Sequence, residues 1–181
     1  GSISAPIPRQ GQAAQSTQAI ITAYIKNGFI HIVPKGLDHI LFVLGLFFYA
    51  ARWQPLLGQV TLFTLAHSLT LFLASTGYIV VSPTVIEPMI AASIIYIAYE
   101  NIRRQRMNAI RILVIFVFGL LHGLGFASVL SDIMIGDSML NAGGFASGQF
   151  ILSLISFNIG VELGQLAVLA PAFLLFGVIA K

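Results

Sequence analysis

Residues 111–130 read RILVIFVFGLLHGLGFASVL, an apolar run in which only the first residue carries a formal charge. A helix rises about 1.5 Å per residue, so about 20 such residues span the roughly 30 Å hydrocarbon core of a bilayer. The whole chain of 181 residues shares this character, with 57% hydrophobic residues, 8% charged residues and a mean hydropathy of +0.94. This composition excludes an ordinary soluble domain and predicts an integral membrane protein.

Four more apolar runs accompany this segment and predict an all-α fold, a polytopic transmembrane helix bundle of about five spans. A further helix over Thr17–Val33 is expected to lie at the membrane interface and to end where Pro34 and Gly36 interrupt it. Residues 1–18 are polar and predict a mobile tail, whereas residues 19–181 form a single transmembrane domain. The predicted spans are residues 37–51, 56–74, 83–102, 111–130 and 149–180.

Basic residues predict the orientation, because short cytoplasmic loops carry the excess of Lys and Arg. Arg52, the cluster from Arg103 to Arg111, and Lys181 mark three inward ends, whereas residues 75–82 and 131–148 contain no basic residue. The N-terminus is therefore expected to face outward. The formal net charge of +3 reflects this topology, and because the Arg cluster lacks interleaved aromatic residues we expect the lipid bilayer, not nucleic acid, as partner.

All four histidines lie in or beside apolar segments, where an imidazole needs a partner or a function. His67 and His122 each follow the predicted inner end of a span by eleven residues, about 16 Å, so they can face each other. Asp38 and His39 are expected at the outer mouth of the first span, where the break before them lets His31 fold back. The candidate metal ligands are His31, Asp38, His39, His67, His122 and Glu87.

These donor types indicate a divalent transition metal ion. Imidazole suits nickel, cobalt and zinc, a carboxylate adds charge neutralisation, and the absence of cysteine excludes both a thiolate site and a disulfide framework. Each residue also has a purely structural interpretation. Asp38 can serve as a helix N-terminal charge, His67 can bond to a neighbouring helix, and Glu87 can be a polar contact at the mouth.

A second set of polar residues is predicted to line a path across the membrane. Three of them share one face of the last span, and among these Glu162 has no basic residue within a helical turn. Glu100 either ends the path at the inner side or pairs with Arg103 or Arg104 one turn on. Glycines around His122 and Glu162 predict close helix packing. The candidate path residues are Asn158, Glu162, Gln165, Ser68 and Glu100.

Two classes of function fit these residues. One is a metal permease that works by facilitated diffusion, favoured by polar groups at several depths. The other is an intramembrane zinc-dependent hydrolase, which would keep an open ligand position towards lipid. The sequence contains no GxxxxGK[ST] motif, so it offers no ATP site of that kind. A homo-oligomer is compatible with five short spans, but no motif specifies one, and a purely structural subunit is a third alternative.

Five motifs occur in order along the chain: HIVPKGLDHILFVLGLFF, FTLAHSLTL, VIEPMIAASIIYIAYEN, FGLLHGLGFASVL and FNIGVELGQLAV. Together they resemble the HupE/UreJ family of bacterial membrane proteins over about residues 28–170. The resemblance implies a multi-pass nickel or cobalt permease of the bacterial inner membrane. It also implies a His-Asp-His metal motif at His31, Asp38 and His39. The other polar motif positions would be His67, Glu87, Glu100, His122 and Glu162.

Overall fold

The computed structural model describes residues 16–49, 52–103, 109–136 and 148–176, and within them it contains six α helices and no strand. The helices are α1 (Thr17–Ile32), α2 (Leu37–Tyr49), α3 (Trp53–Ser75), α4 (Pro83–Arg103), α5 (Ala109–Gly136) and α6 (Gly148–Phe176). Helices α3 to α6 each contain a stretch long and apolar enough to cross a membrane, whereas α1 and α2 meet this test only as a pair. The prediction of an all-α bundle is therefore confirmed.

Some of the predicted features lie outside the described residues. They include almost all of the predicted tail, two arginines of the basic cluster (Arg104 and Arg106) and Lys181. The predicted orientation of the bundle therefore stays a prediction.

Helix α1 packs along α6 through glycines. A Cβ added at Gly28 would lie 2.0 Å from a backbone oxygen of α6, and one at Gly160 would lie 2.1 Å from the carbonyl oxygen of Ile25, so the two backbones touch. Gly164, one turn later in α6, meets Ile32, which is also later in α1. The two helices therefore run in the same direction, side by side.

The pair α1 and α2 forms one broken span, bent by 71°. Helix α1 packs along the first half of α6. Helix α2 packs along the second half, where the rings of Phe47 and Phe173 have centroids 4.8 Å apart. Gly36 permits the bend, because a Cβ there would lie 2.4 Å from the carbonyl oxygen of His31. This corrects the predicted interfacial helix: it exists, but it is the first half of the first span, because glycines fit it against α6.

Helices α3 and α5 also pack closely through glycines. A Cβ added at Gly119 would lie 2.6 Å from the carbonyl oxygen of Phe63, and one at Gly123 would lie 2.3 Å from that of His67. The predicted close packing of these glycines is confirmed. Because Gly123 follows His122 directly, this contact holds His122 at the level of His67.

Candidate metal centre

Four helices bring the four histidines and Asp38 together in what we call the histidine cluster. His31 lies in the last turn of α1, Asp38 and His39 in the first turn of α2, and the other two in the interiors of α3 and α5. His39 is the centre of the cluster. Its ring centroid lies 4.8 Å from that of His31, 5.6 Å from that of His67 and 4.8 Å from that of His122.

Two overlapping groups of donors have the spacing that a metal ion requires. One contains His31, His39 and His67, the other contains Asp38, His39 and His122, and within each group the ligand atoms lie within 4.8 Å of one another. A tetrahedral ion with bonds of about 2.0 Å holds its ligand atoms about 3.3 Å apart. Each group would therefore have to contract by at most about 1.5 Å, which side-chain rotation can supply.

Hydrogen bonds orient part of the cluster. Oδ1 of Asp38 lies 3.1 Å from Nδ1 of His39, whereas its Oδ2 lies 3.8 Å from Nδ1 of His122, beyond hydrogen-bond distance. Nε2 of His122 is 3.3 Å from the Ser93 hydroxyl of α4, a neighbour that the sequence analysis did not include. The carboxylate therefore orients the ring of His39 and the hydroxyl orients that of His122, and the second nitrogen of each ring stays available to a metal ion, as in known metal sites.

Several buried nitrogens of the cluster have no hydrogen-bond partner among the described residues. They are Nε2 of His31, Nε2 of His39 and Nδ1 of His122. The ring nitrogens of His67 also lack a hydrogen bond of good geometry, although Asn158 lies beside that ring. A buried polar atom without a partner costs about 1–3 kcal/mol, so such atoms are rare and call for an explanation. A bound cation would supply the missing partner, and a neutral imidazole offers one lone pair for it.

Aromatic rings close the cluster on two sides. Phe63 lies against His122 on one side, with centroids 5.1 Å apart, and Phe126 lies over His31 on another side, at 3.8 Å. His39, His67 and His122 are at most 1% exposed. The side chain of Asp38, in contrast, is 37% exposed and opens into a cleft between α2 and α4. The cleft has a volume of about 320 Å³ and is lined by Asp38, Leu41, Glu87, Ile90, Ala91 and Ile94.

One expectation about this region needs correction, and another stays a prediction without support from the donor groups. Asp38 and His39 were expected at the mouth of the first span, but they lie level with the two buried histidines, because α1 precedes them as the first half of a bent helix pair. Glu87 was expected among the metal ligands, but it belongs to neither donor group. It lines the cleft that leads to Asp38.

The predicted path residues of α6 lie along its contact with α3, which we call the α3–α6 seam. Thr61 donates a hydrogen bond to Oε1 of Glu162 at 2.8 Å, and Thr64 donates one to Oε1 of Gln165 at 2.9 Å. Asn158 lies close to the ring of His67. The seam therefore connects one side of the histidine cluster to a half-buried carboxylate. Ser68 belongs to the same stretch of α3, where its hydroxyl donates to the carbonyl of Thr64.

Among the described residues, Glu100 pairs with an arginine other than Arg103. Its carboxylate forms an ion pair with Arg111, which is completely buried. The guanidinium also lies 3.6 Å from the ring centre of Tyr49, and its Nε donates to Oε1 of Gln59 at 3.4 Å. Arg104 lies outside the described residues. Arg111 had been assigned to the inward loop, but it turns into the bundle because Glu100 offers it an opposite charge.

A bundle of membrane-length helices that encloses unpaired imidazoles and a carboxylate defines a membrane protein with a candidate cation site. The chain belongs to the HupE/UreJ family, since the family model described as HupE / UreJ protein matches residues 8–181. This confirms the resemblance drawn from the motifs. The family is associated with nickel and cobalt transport, which favours a transporter over an enzyme. No curated protein and no solved structure matches the chain.

Proposed function

We propose that this protein is a permease for a divalent transition metal ion, with nickel as the expected substrate and cobalt or zinc as alternatives. The observation that carries the proposal is the set of buried, unpaired imidazole nitrogens beside Asp38 in the interior of the bundle. Imidazole and carboxylate are ligands that nickel, cobalt and zinc accept. Membership of a family associated with nickel and cobalt transport supports the same choice.

The two donor groups suggest how an ion could enter and leave without losing all its ligands at once. His39 belongs to both groups. An ion held by Asp38, His39 and His122 can therefore stay bound to His39 while His31 and His67 replace the other two ligands. Conduction requires sites that bind well enough to admit the ion and weakly enough to release it. Two overlapping sets of three ligands meet this condition better than one closed shell.

Asp38 is the natural point of entry, because it is the donor of the cluster that is most open to the cleft. On the far side, Asn158, Gln165 and Glu162 offer oxygen ligands along the α3–α6 seam. We further propose that the protein lies in the bacterial inner membrane with its N-terminus outward, on the basis of the distribution of basic residues.

Nickel flux into proteoliposomes tests this function. Purified protein would be reconstituted with a metal-sensitive dye inside the vesicles, and empty vesicles would give the background. The proposal requires a flux that saturates with nickel concentration and is abolished in a His39→Ala variant, which removes a ligand of both donor groups and should also lose metal binding. His67→Ala and His122→Ala each remove a ligand of one group and should lower both flux and affinity. No flux in the parent protein, with metal binding intact, would refute it.

One observation favours a second candidate, an intramembrane zinc-dependent hydrolase. The most exposed donor of the cluster faces a cleft with four apolar lining residues and a second carboxylate, Glu87. A zinc ion at Asp38 could activate a water molecule, and Glu87 could accept its proton while an apolar substrate occupies the cleft. Hydrolysis of a lipid or peptide substrate that is lost in Glu87→Gln, in a protein without nickel flux, would favour this candidate.

A further inference from the structure

An apolar layer separates the histidine cluster from the end of the bundle where α2 and α4 finish and α3 and α5 begin. It is built from Phe42, Phe63, Ile97 and Ile115, which are at most 1% exposed. Phe42 and Phe63 contact each other with centroids 4.7 Å apart, and both lie against the ring of His122. These four side chains offer no oxygen or nitrogen ligand, so a cation moving along the bundle axis would lose its ligands here.

Beyond this layer lies a buried charge, in a group that we call the arginine clamp: Tyr49, Gln59, Glu100 and Arg111. The four residues come from α2, α3, α4 and α5, and Arg111 contacts each of the other three. An Arg side chain stays protonated at any ordinary pH. The clamp therefore holds a permanent guanidinium charge against the carboxylate of Glu100, about 16 Å along α5 from His122, and this pairing neutralises the carboxylate.

The α3–α6 seam offers a different environment at comparable depth. Its hydrogen-bonded pairs, Thr64 with Gln165 and Thr61 with Glu162, contain oxygen ligands and no basic group. Gln165 is completely buried, whereas Glu162 is half-buried. The seam therefore leads from the interior of the bundle to its surface. A cation leaving the histidine cluster meets oxygen ligands in this direction. In the other direction it meets an apolar layer and then a carboxylate whose charge Arg111 cancels.

We propose that Arg111 closes the axial route of the bundle to cations, so that the metal ion leaves the histidine cluster along the α3–α6 seam. This inference rests on the proposed transport function. Repulsion between a divalent ion and a buried guanidinium is weakly screened, because water and salt are excluded there. Arg111 also cancels the charge of Glu100, so the carboxylate beyond the apolar layer cannot attract the ion as a free carboxylate would.

Thiol labelling tests the inference directly, because the chain has no cysteine of its own. A single cysteine at Ile97 samples the axis just above the clamp, and one at Thr64 samples the seam. In proteoliposomes, a small cationic thiol reagent should modify the Thr64→Cys variant and leave the Ile97→Cys variant essentially unmodified. Equal rates of modification at the two positions would overturn the inference.

A second comparison distinguishes the effect of the Arg111 charge from the effect of helix packing around it. Adding Arg111→Gln to the Ile97→Cys variant should raise its modification by the cationic reagent roughly tenfold or more, with little change for a neutral reagent of the same size. An equal rise with both reagents would mean that the substitution only loosens the bundle, and would overturn the inference. Glu100→Gln keeps the positive charge and should slow the cationic reagent further, which gives a second variant if Arg111→Gln does not fold.

Labelling requires no transport, so the two proposals can fail independently. A protein without nickel flux would refute the proposed permease function. The labelling result would still show whether the axis is closed to cations. Conversely, a nickel flux that continues unchanged after complete modification of the Thr64→Cys variant would refute the seam as the exit and leave the permease intact.

Discussion

Replacing Gly123 by alanine should weaken metal binding by moving one ligand away from the others. The added Cβ would lie 2.3 Å from the carbonyl oxygen of His67 and 2.2 Å from the hydroxyl oxygen of Thr70, whereas real Cβ atoms essentially never come within 3.0 Å of such neighbours. Helix α5 must therefore move away from α3 by about 0.7 Å or more. Because His122 is the preceding residue, its ring moves with the backbone.

The magnitude follows from the narrow tolerance of metal bonds. Ligand distances in metal sites hold to within about 0.2 Å, so a shift several times larger should lower the affinity between tenfold and a hundredfold, about 1.4–2.7 kcal/mol. Crowding at the helix contact should cost a further 1–3 kcal/mol or so of stability. Both quantities can be measured on purified protein, by calorimetric titration with nickel and by thermal unfolding.

Gly58→Ala is the matched control. It is also a glycine of a long helix, α3, but a Cβ there meets nothing within 4 Å. It should bind nickel like the parent and be as stable or slightly more stable, since alanine is the better helix former by about 1 kcal/mol. Nickel affinity in Gly123→Ala that equals that of the parent and the control would refute the assignment of His122 as a ligand held in place by helix packing.

Further predictions test the roles of other residues. His39→Ala should abolish nickel binding, whereas His31→Ala should only weaken it, because His39 belongs to both donor groups; equal losses in titration would contradict the two-group arrangement. Glu162→Gln should slow nickel flux into proteoliposomes and leave nickel affinity unchanged, and an unaltered flux would remove Glu162 from the path. Single cysteines at Thr76 and Gln105 should react with an impermeant reagent from opposite faces of the membrane, whereas labelling from the same face would overturn the proposed topology.

The sequence predicted helices α3 to α6 well because each one contains a long apolar run. It also predicted that His67 and His122 occupy matching depths, since residue counts along two spans give depth directly. The error about Asp38 and His39 came from the break at Gly36. A short apolar run after a glycine looks like the start of a span, and only the contact of α1 with α6 shows that it is the second half of one.

The partner of Glu100 could not be predicted from spacing within one helix. Arg103 lies one turn away along α4, whereas Arg111 starts the next helix, so its approach depends on how α4 and α5 meet. Charge alone assigned Arg111 to a loop at the membrane surface. A hint was nevertheless present, because Arg111 and Glu100 are a basic and an acidic residue at adjoining ends of consecutive apolar helices.

The central claim is that the histidine cluster binds a transition metal ion, and anomalous scattering from crystals grown with nickel tests it most directly. The account predicts a strong peak at the nickel edge within about 2.0–2.2 Å of a ring nitrogen of His39, with further ligands from His67, His122 or Asp38. Crystals grown with zinc should show a peak at the same place. Rings that turn away from one another, with no anomalous peak among them in either crystal, would contradict the claim.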